Sequence, residues 1–338
     1  MVLVTPAIRA LSEAFPGASL SVVTEAFSAD VFESNPRIAE VLVIDRWAQR
    51  KLPGWKRARM SLDWLRMVRA GRYDLVVDLF CGPRSGQMAM ASGAPVRVAE
   101  AIRSRRFYYT NAVNVDHMGT HLTEQKMRIV EAVTGPVPVP DPEIFLRAGE
   151  RAEADRRLRD LAGDSGGPFA GLFPGAGWMH KRWPADRFAS LGDRLAEAGW
   201  RVVVFGGPRD VGACREVAEG MKSGPVLLAG IRKLRETIAL VDRMGLFVSN
   251  DTGPMHIAAG LGVPTVGIFG PSDPVLYGPR GRRVRIVASG FPCSPCPQDE
   301  STCHLHGKRP RECMEAIPVT AVFEAAAGLA AAAAEGKA

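Results

Sequence analysis

No apolar run in this 338-residue chain approaches the roughly 20 residues that a membrane-spanning helix needs. The chain does not open on a basic segment followed by an apolar stretch, so no secretory signal is expected and a cytoplasmic protein is. No nucleic-acid-binding motif accompanies the basic charge, which argues against such a partner. Internal repeats are also lacking. What is present is ordinary for a soluble enzyme: 46% hydrophobic and 23% charged residues. The length is more than one core usually serves, so two domains are expected.

The net charge of +7 is unevenly spread. Between Arg46 and Arg72 lie Arg50, Lys51, Lys56, Arg57, Arg59, Arg66 and Arg69, interleaved with Trp47, Trp55 and Trp64. A second cluster, Arg103, Arg105 and Arg106, runs into Phe107, Tyr108 and Tyr109. Basic residues beside aromatic ones suit a lipid headgroup surface or an acidic glycolipid. The competing reading is a solvated helix face whose tryptophans reach the core. Composition leaves both open.

Strand-like and helix-like segments alternate along the whole chain. Thr5-Pro6 reads as an N-cap with proline at the first helical position, and Pro16-Gly17 as that helix's end. Strands are predicted over 18–23, 41–44 and 73–79. A proline-rich stretch, 136–142, reads as an interdomain linker. Beyond it the pattern sharpens: helix 149–161, strand 169–173, helix 186–198, strand 201–205 and helix 211–221. Helix 234–243, strand 246–249, helix 255–260 and strand 265–269 follow, and an alanine-rich helix begins at Val319. Continuous apolar strands separated by helices predict α/β domains with parallel sheets, whose ligands bind beyond the strands' carboxyl ends. The expected division is 1–145, 146–318, and a helix and tail over 319–338.

Two strand-end loops carry the chemistry. In 173–184, Gly175 and Gly177 let the backbone approach a ligand, and Lys181-Arg182 precede the next helix, a natural phosphate clamp. In 248–256 a strand ends in Ser249-Asn250-Asp251-Thr252 and a helix begins at once. Thr252 or Asp251 can cap that helix, and Gly253-Pro254 shape its first turn. Its free amides and dipole favour a diphosphate, the dipole by about 0.3–2 kcal/mol. Asp251 is expected to orient the loop or accept from a sugar hydroxyl. His256 has an alternative reading as a buried, hydrogen-bonded histidine.

Together these loops resemble glycosyltransferase family 9, which includes the ADP-heptose:lipopolysaccharide heptosyltransferases. The matching residues are Lys181-Arg182-Trp183-Pro184, Phe205-Gly206-Gly207 with Asp210, Asp251 through His256, and Gly270 through Pro274. Thr5 through Arg9 and Tyr73 through Leu79 extend the likeness into the first half. The resemblance implies a GT-B architecture, two doubly wound Rossmann-like domains facing a cleft, with the acceptor in the first and the nucleotide sugar in the second. It implies an inverting transfer of a heptose-like sugar from an ADP-linked donor to a lipopolysaccharide-core or other cell-envelope glycan, at the inner face of the cytoplasmic membrane. Carried over by residue, Lys181 and Asp251 are catalytic. Gly175, Lys181, Thr252, Gly253, Pro254, Met255, His256 and Asp210 hold the donor. Thr5, Arg84, Ser85, Arg103, Arg105 and Arg106 contact the acceptor. No Asp-x-Asp sequence is present to bridge a diphosphate through a metal, so no cofactor is expected in catalysis.

Family members open with an apolar strand and a Gly-Asp loop whose aspartate is the general base; here Met1 stands where the next residue belongs. The first strand of the first domain and the base are thus expected to be missing, with Met1 an internal methionine of a longer protein. A binding protein without turnover is the alternative this raises. Finally, Cys293, Cys296, Cys303 and Cys313, with His304 and His306 among them, suit a structural zinc site. Disulfides and clustered free thiols are equally compatible with the spacing.

Overall fold

The computed structural model describes residues 1–163, 166–296 and 311–336. The chain divides into two compact units, Met1 with Leu3–Pro140 and Val2 with Asp141–Ala338. The boundary falls inside the proline-rich stretch.

The first unit opens on a 3-10 turn, Val2–Val4, that runs directly into α1 (Thr5–Ala14). Because that turn already holds Val4 in helical backbone, Val4 occupies the N-cap position and Thr5 lies inside the helix, fully buried. The N-cap reading of Thr5 is overturned by this placement, and the side chain predicted to meet the acceptor is buried. Strands β1 (Ser21–Glu25) and β2 (Glu40–Ile44) pair in parallel. After them come α2 (Arg46–Arg50) and α3 (Gly54–Ala70), then β3 (Leu75–Asp78), α4 (Pro83–Ser92), β4 (Val96–Glu100) and β5 (Asn111–Val113). Helix α5 (Leu122–Thr134) closes the unit. β3, β4 and β5 form a second parallel sheet, so among the described residues β1 and β3 each have a strand on one side alone. α1 lays Ala7 and Ala10 on Met127 and Val130 of α5, above Val77 and Leu79. α3 turns Trp64 and Val68 inward onto Ile44 and Met88.

The second unit begins with α6 (Glu150–Ala162) and β6 (Phe169–Phe173), followed by α7 (Ala185–Glu197), β7 (Arg201–Gly206), α8 (Val211–Gly220) and β8 (Val226–Ala229). Then come α9 (Leu234–Asp242), β9 (Leu246–Asn250), α10 (Gly253–Gly260), β10 (Thr265–Phe269), α11 (Pro274–Tyr277) and β11 (Val284–Ala288). Helices α12 (Glu312–Glu315) and α13 (Val319–Glu335) end it. All six strands are parallel, in the order β11-β10-β9-β6-β7-β8. The chain winds outward from β6 to one edge, returns to β9, and winds to the other, a doubly wound sheet whose direction switches between β6 and β9. β9 and β10 are buried along their whole length, as strands covered on both faces must be. α13 belongs to this core rather than to a tail: Val322, Ala326 and Leu329, on one helical face, join Leu172, Val204 and Val266.

The centre of the sheet depends on a missing side chain. Gly171 of β6 sits opposite Phe247 of β9, and a Cβ there would come within 2.6 Å of the Phe247 ring and 3.0 Å of Phe205. The two rings meet at 5.8 Å, both fully buried. Gly171→Ala is therefore expected to lower stability by about 1–3 kcal/mol through overpacking, seen as a fall in the urea midpoint; an unchanged midpoint would show that the rings yield freely.

Candidate active site

In a doubly wound sheet the loops leaving the two strands at the switch point diverge to opposite faces and leave a crevice between them. Here those are the loops after β6 and β9, the two that carry the motifs. Asn250, the last residue of β9, joins them. Fully buried, it donates through Nδ2 to the Pro174 carbonyl at 2.9 Å and accepts from the Trp183 amide at 3.0 Å. Trp183 in turn donates its indole N–H to the Ile317 carbonyl. The loop after β6 is thus pinned at both ends, with Lys181 between them.

The Lys181 ammonium donates to Asp251 Oδ2 at 2.7 Å, and Ser272, after β10, donates to the same oxygen at 2.6 Å. The pair is largely enclosed, and the ammonium also lies 5.3 Å from the centre of the Trp178 ring. Lys181 and Asp251, 70 residues apart, are therefore one unit. Its charges cancel, and Asp251 faces lysine rather than repelling whatever binds beside it.

Two residues beyond Asp251, α10 opens without a side-chain cap. Thr252 holds the N-cap position in extended backbone, yet its hydroxyl is shared with Ser249 at 3.0 Å and the Asn250 carbonyl at 3.3 Å. Asp251 is spent on Lys181. Neither performs the capping expected of it. The start of a helix carries orphan amides and a positive dipole end. Gly253 is exposed, with nothing within 4 Å of where a side chain would begin. Other members of the predicted donor set are limited by their surroundings. Pro254 has no N–H, Met255 is fully buried with its thioether over Gly267, and His256 is half-buried.

A second carboxylate reaches the loop after β6. Asp210 accepts from the Gly207 amide at 3.2 Å and lies 3.9 Å from the Arg182 guanidinium. Arg182 also donates to the Ala176 carbonyl at 3.0 Å. A Cβ on Gly175 would come within 2.3 Å of the Asp210 carboxylate, so Gly175 makes room for Asp210 rather than only for a ligand. Burial raises the Asp210 pKa above the usual carboxylate range, against the Gly207 amide and the Arg182 and Arg209 charges. Beneath it the Cys214 thiol is pushed up to about 12, by burial first and then by Asp210.

In the first unit the residues predicted for an acceptor behave differently from one another. Arg84 lies 5.3 Å over the Trp64 ring and donates to Ser61; burial, then the charge of Arg46, lowers its pKa. Ser85 both accepts from the Gly82 amide and donates to the Gly82 carbonyl. Its hydroxyl helps start α4. Arg105 donates to the Cys81 carbonyl at 2.6 Å, while Arg103 and Arg106 are exposed. Nearby, Asp78 accepts from the Phe80 and Cys81 amides and from the Tyr109 hydroxyl at 2.6 Å. Cys293, Cys296 and Cys313 are half-buried, whereas Cys303, His304 and His306 lie outside the described residues. Among the described residues no group of side chains is arranged to hold a metal ion.

Sequence reasoning passed over Asn250 and Ser272 as site residues, though both lie within segments it singled out. The available signal was the position of Asn250, a buried amide ending an apolar strand, which must find partners.

Residues 62–306 match the glycosyltransferase family 9 (heptosyltransferase) family model. The chain is 29% identical over 309 residues to lipopolysaccharide heptosyltransferase 1 of Pseudomonas aeruginosa, covering 86% of this chain and 81% of that one. A glycosyl transferase family 9 structure from Veillonella parvula superposes with a TM-score of 0.83 at 25% identity, covering 97% and 93% of the two chains. The structure of Escherichia coli ADP-heptose lps heptosyltransferase II superposes with a TM-score of 0.76 at 21% identity, over 100% and 96%. The fold is GT-B, built of two Rossmann-like units.

The raised pKa of Asp210 sets a pH dependence. The folded state takes up this proton more readily than the unfolded chain, so the stability it contributes is full below the unfolded value and is lost as pH rises through the folded one. Asp210→Asn is therefore expected to stabilise the protein at neutral pH, with a gain that fades on acidification. A gain independent of pH in urea titrations would exclude this carboxylate as the source.

Proposed function

Because the chain belongs to glycosyltransferase family 9 and is thus a glycosyltransferase, we propose that it moves a heptose from an ADP-linked donor to a lipopolysaccharide-core acceptor, inverting the anomeric carbon. The observation that carries this reading is the Lys181–Asp251 pair beside the uncapped start of α10, both at the switch point of the second unit. An acceptor hydroxyl attacks the anomeric carbon opposite the diphosphate. The new C–O bond forms as the bond to the diphosphate oxygen breaks, ADP departs with that electron pair, and the hydroxyl proton passes to solvent water. Charge growing on the diphosphate falls where the first-turn amides of α10 and the Lys181 ammonium stand, donors already fixed before the reaction. Asp251 and Ser272 hold the ammonium in place, so that little reorganisation is required as the charge develops. Asp210 stands beside Gly175 as the candidate partner of the nucleotide ribose.

One further observation favours a second reading, donor binding without turnover. The carboxylates described at strand ends of the first unit are engaged: Asp78 with two amides and Tyr109, and Glu25 with the Arg46 side chain at 3.3 Å. Glu100, at the end of β4, is likewise engaged, with His117 at 2.6 Å.

Purified protein given ADP-heptose and a heptose-accepting core glycolipid is expected to release ADP in step with transfer. Lys181→Ala should lower turnover by roughly 10²–10³, the loss typical of removing one preorganised donor. ADP at 100 times its dissociation constant should stabilise the wild type by about 2.7 kcal/mol, and this shift should largely vanish in the variant. Undiminished turnover by Lys181→Ala removes that residue from the site. Calorimetric binding of ADP-heptose with no ADP release establishes the second reading instead.

A further inference from the structure

The loop after β6 carries two tryptophans, and the fold treats them in opposite ways. Trp183 is buried at 2% exposure and bonded to the Ile317 carbonyl, whereas Trp178 is 44% exposed. Burial therefore accounts for Trp183 and not for Trp178. A large ring left half in water forfeits much of what an apolar side chain contributes to folding, so the contribution of Trp178 lies in its contacts.

One of those contacts is with Lys181. Met179–Lys181 is a 3-10 turn, closed by the Lys181 amide donating to the Trp178 carbonyl at 3.1 Å. Residues three apart across such a turn stand one over the other, and the Lys181 ammonium comes to 5.3 Å from the centre of the Trp178 ring. The His180 ring lies 5.3 Å from the same indole, tilted by 41°. Lys181 thus has two partners of different kinds, the Asp251 carboxylate at 2.7 Å and the face of an indole. They act on an approaching anion in opposite senses. A carboxylate beside the ammonium cancels its charge and repels a phosphate. An aromatic face attracts a cation through its quadrupole and carries no net charge, so it holds the ammonium without weakening the pull on an anion.

We propose that Trp178 is a positioning residue, whose ring keeps the Lys181 ammonium at the crevice when the donor diphosphate binds and as charge grows on the leaving group. An ammonium has three N–H groups, and one is given to Asp251. A phosphate oxygen that takes another draws the lysine from the carboxylate, and the indole is the neutral support on the lysine's own turn. Trp178 acts through Lys181 and needs no contact with the sugar. This assignment rests on the donor site proposed above.

Two measurements on the full chain test it, and the first needs no ligand. In protein carrying isotopically labelled lysine, the Lys181 ε-methylene resonance is identified by its loss in Lys181→Arg. The ring current of the indole is expected to displace it upfield; Trp178→Leu should return it to the ordinary lysine position, and Trp178→Phe should keep part of the displacement. The second is calorimetry with ADP. Trp178→Leu should weaken binding by roughly two- to thirty-fold, the span of a cation–π contact from exposed to desolvated sites, and Trp178→Phe by less. Because Trp178 is half exposed, matching thermal melts identify both variants as folded. A Lys181 resonance unmoved by Trp178→Leu overturns the proposal, and so does wild-type ADP affinity in that variant. Equal losses in the Leu and Phe variants do the same, marking the ring as packing alone. Failure of the donor site itself is a distinct result: wild-type protein then binds no ADP, and the proposal falls with it even where the Lys181 resonance responds.

Discussion

The ion pair between Lys181 and Asp251 is the contact around which the second unit's ligand end is built. An ammonium and a carboxylate, both largely shielded, face each other, and the Ser272 hydroxyl adds a further donor to the carboxylate. Removing one partner of such a buried pair typically costs several kcal/mol, because the other charge is stranded. That penalty holds the loop after β6 against the loop after β9, a constraint neither loop imposes alone. Asn250 adds the neutral version of the same constraint, bonding backbone groups at both ends of the first loop. The first turn of α10 then stands beside a cation already held in place.

The two units use their strand ends differently. In the second, side chains at the switch point are bonded to one another and leave the helix start open. In the first, hydrogen bonds engage most strand-end groups: Asp78 gathers two amides and Tyr109, Ser85 starts α4, and the exposed His117 bridges Glu100 and Gln125. His117 has its pKa raised by the bond to Glu100 foremost. Exposed in the first unit are several arginines and large aromatic side chains, Phe27, Phe80 and Phe107 as well as Trp47 and Trp55. A surface of that kind suits large amphiphilic partners better than it suits a small polar molecule.

Legibility of the fold followed burial. β6 and β10 lie where continuous apolar runs placed them, residue for residue, because strands covered on both faces have no polar positions to blur their limits. β4, β5, β8 and β11 escaped notice. They are short or half-exposed, and an arginine sits within both β4 and β11. α10 starts at Gly253 instead of Met255 because glycine and proline serve its first turn, where no amide partner is needed. Thr5 misled for the opposite reason: a local capping signature was overridden by the turn before it.

From the residues alone came the class of the fold, the division into two units, the family, and the two loops that carry chemistry. Each of these rests on local order along the chain: apolar period, glycine and proline placement, and short motifs. Which groups stand together was decided by tertiary structure. Reversal of the winding between β6 and β9 pairs Lys181 with Asp251; the neighbouring ends of β6 and β7 set Asp210 against Gly175; and packing on Ile44 and Met88 in the first unit directs Trp64 inward while Trp47 and Trp55 stay in solvent. Such pairings depend on where distant segments cross, and a linear sequence encodes them only through the packing of the whole sheet.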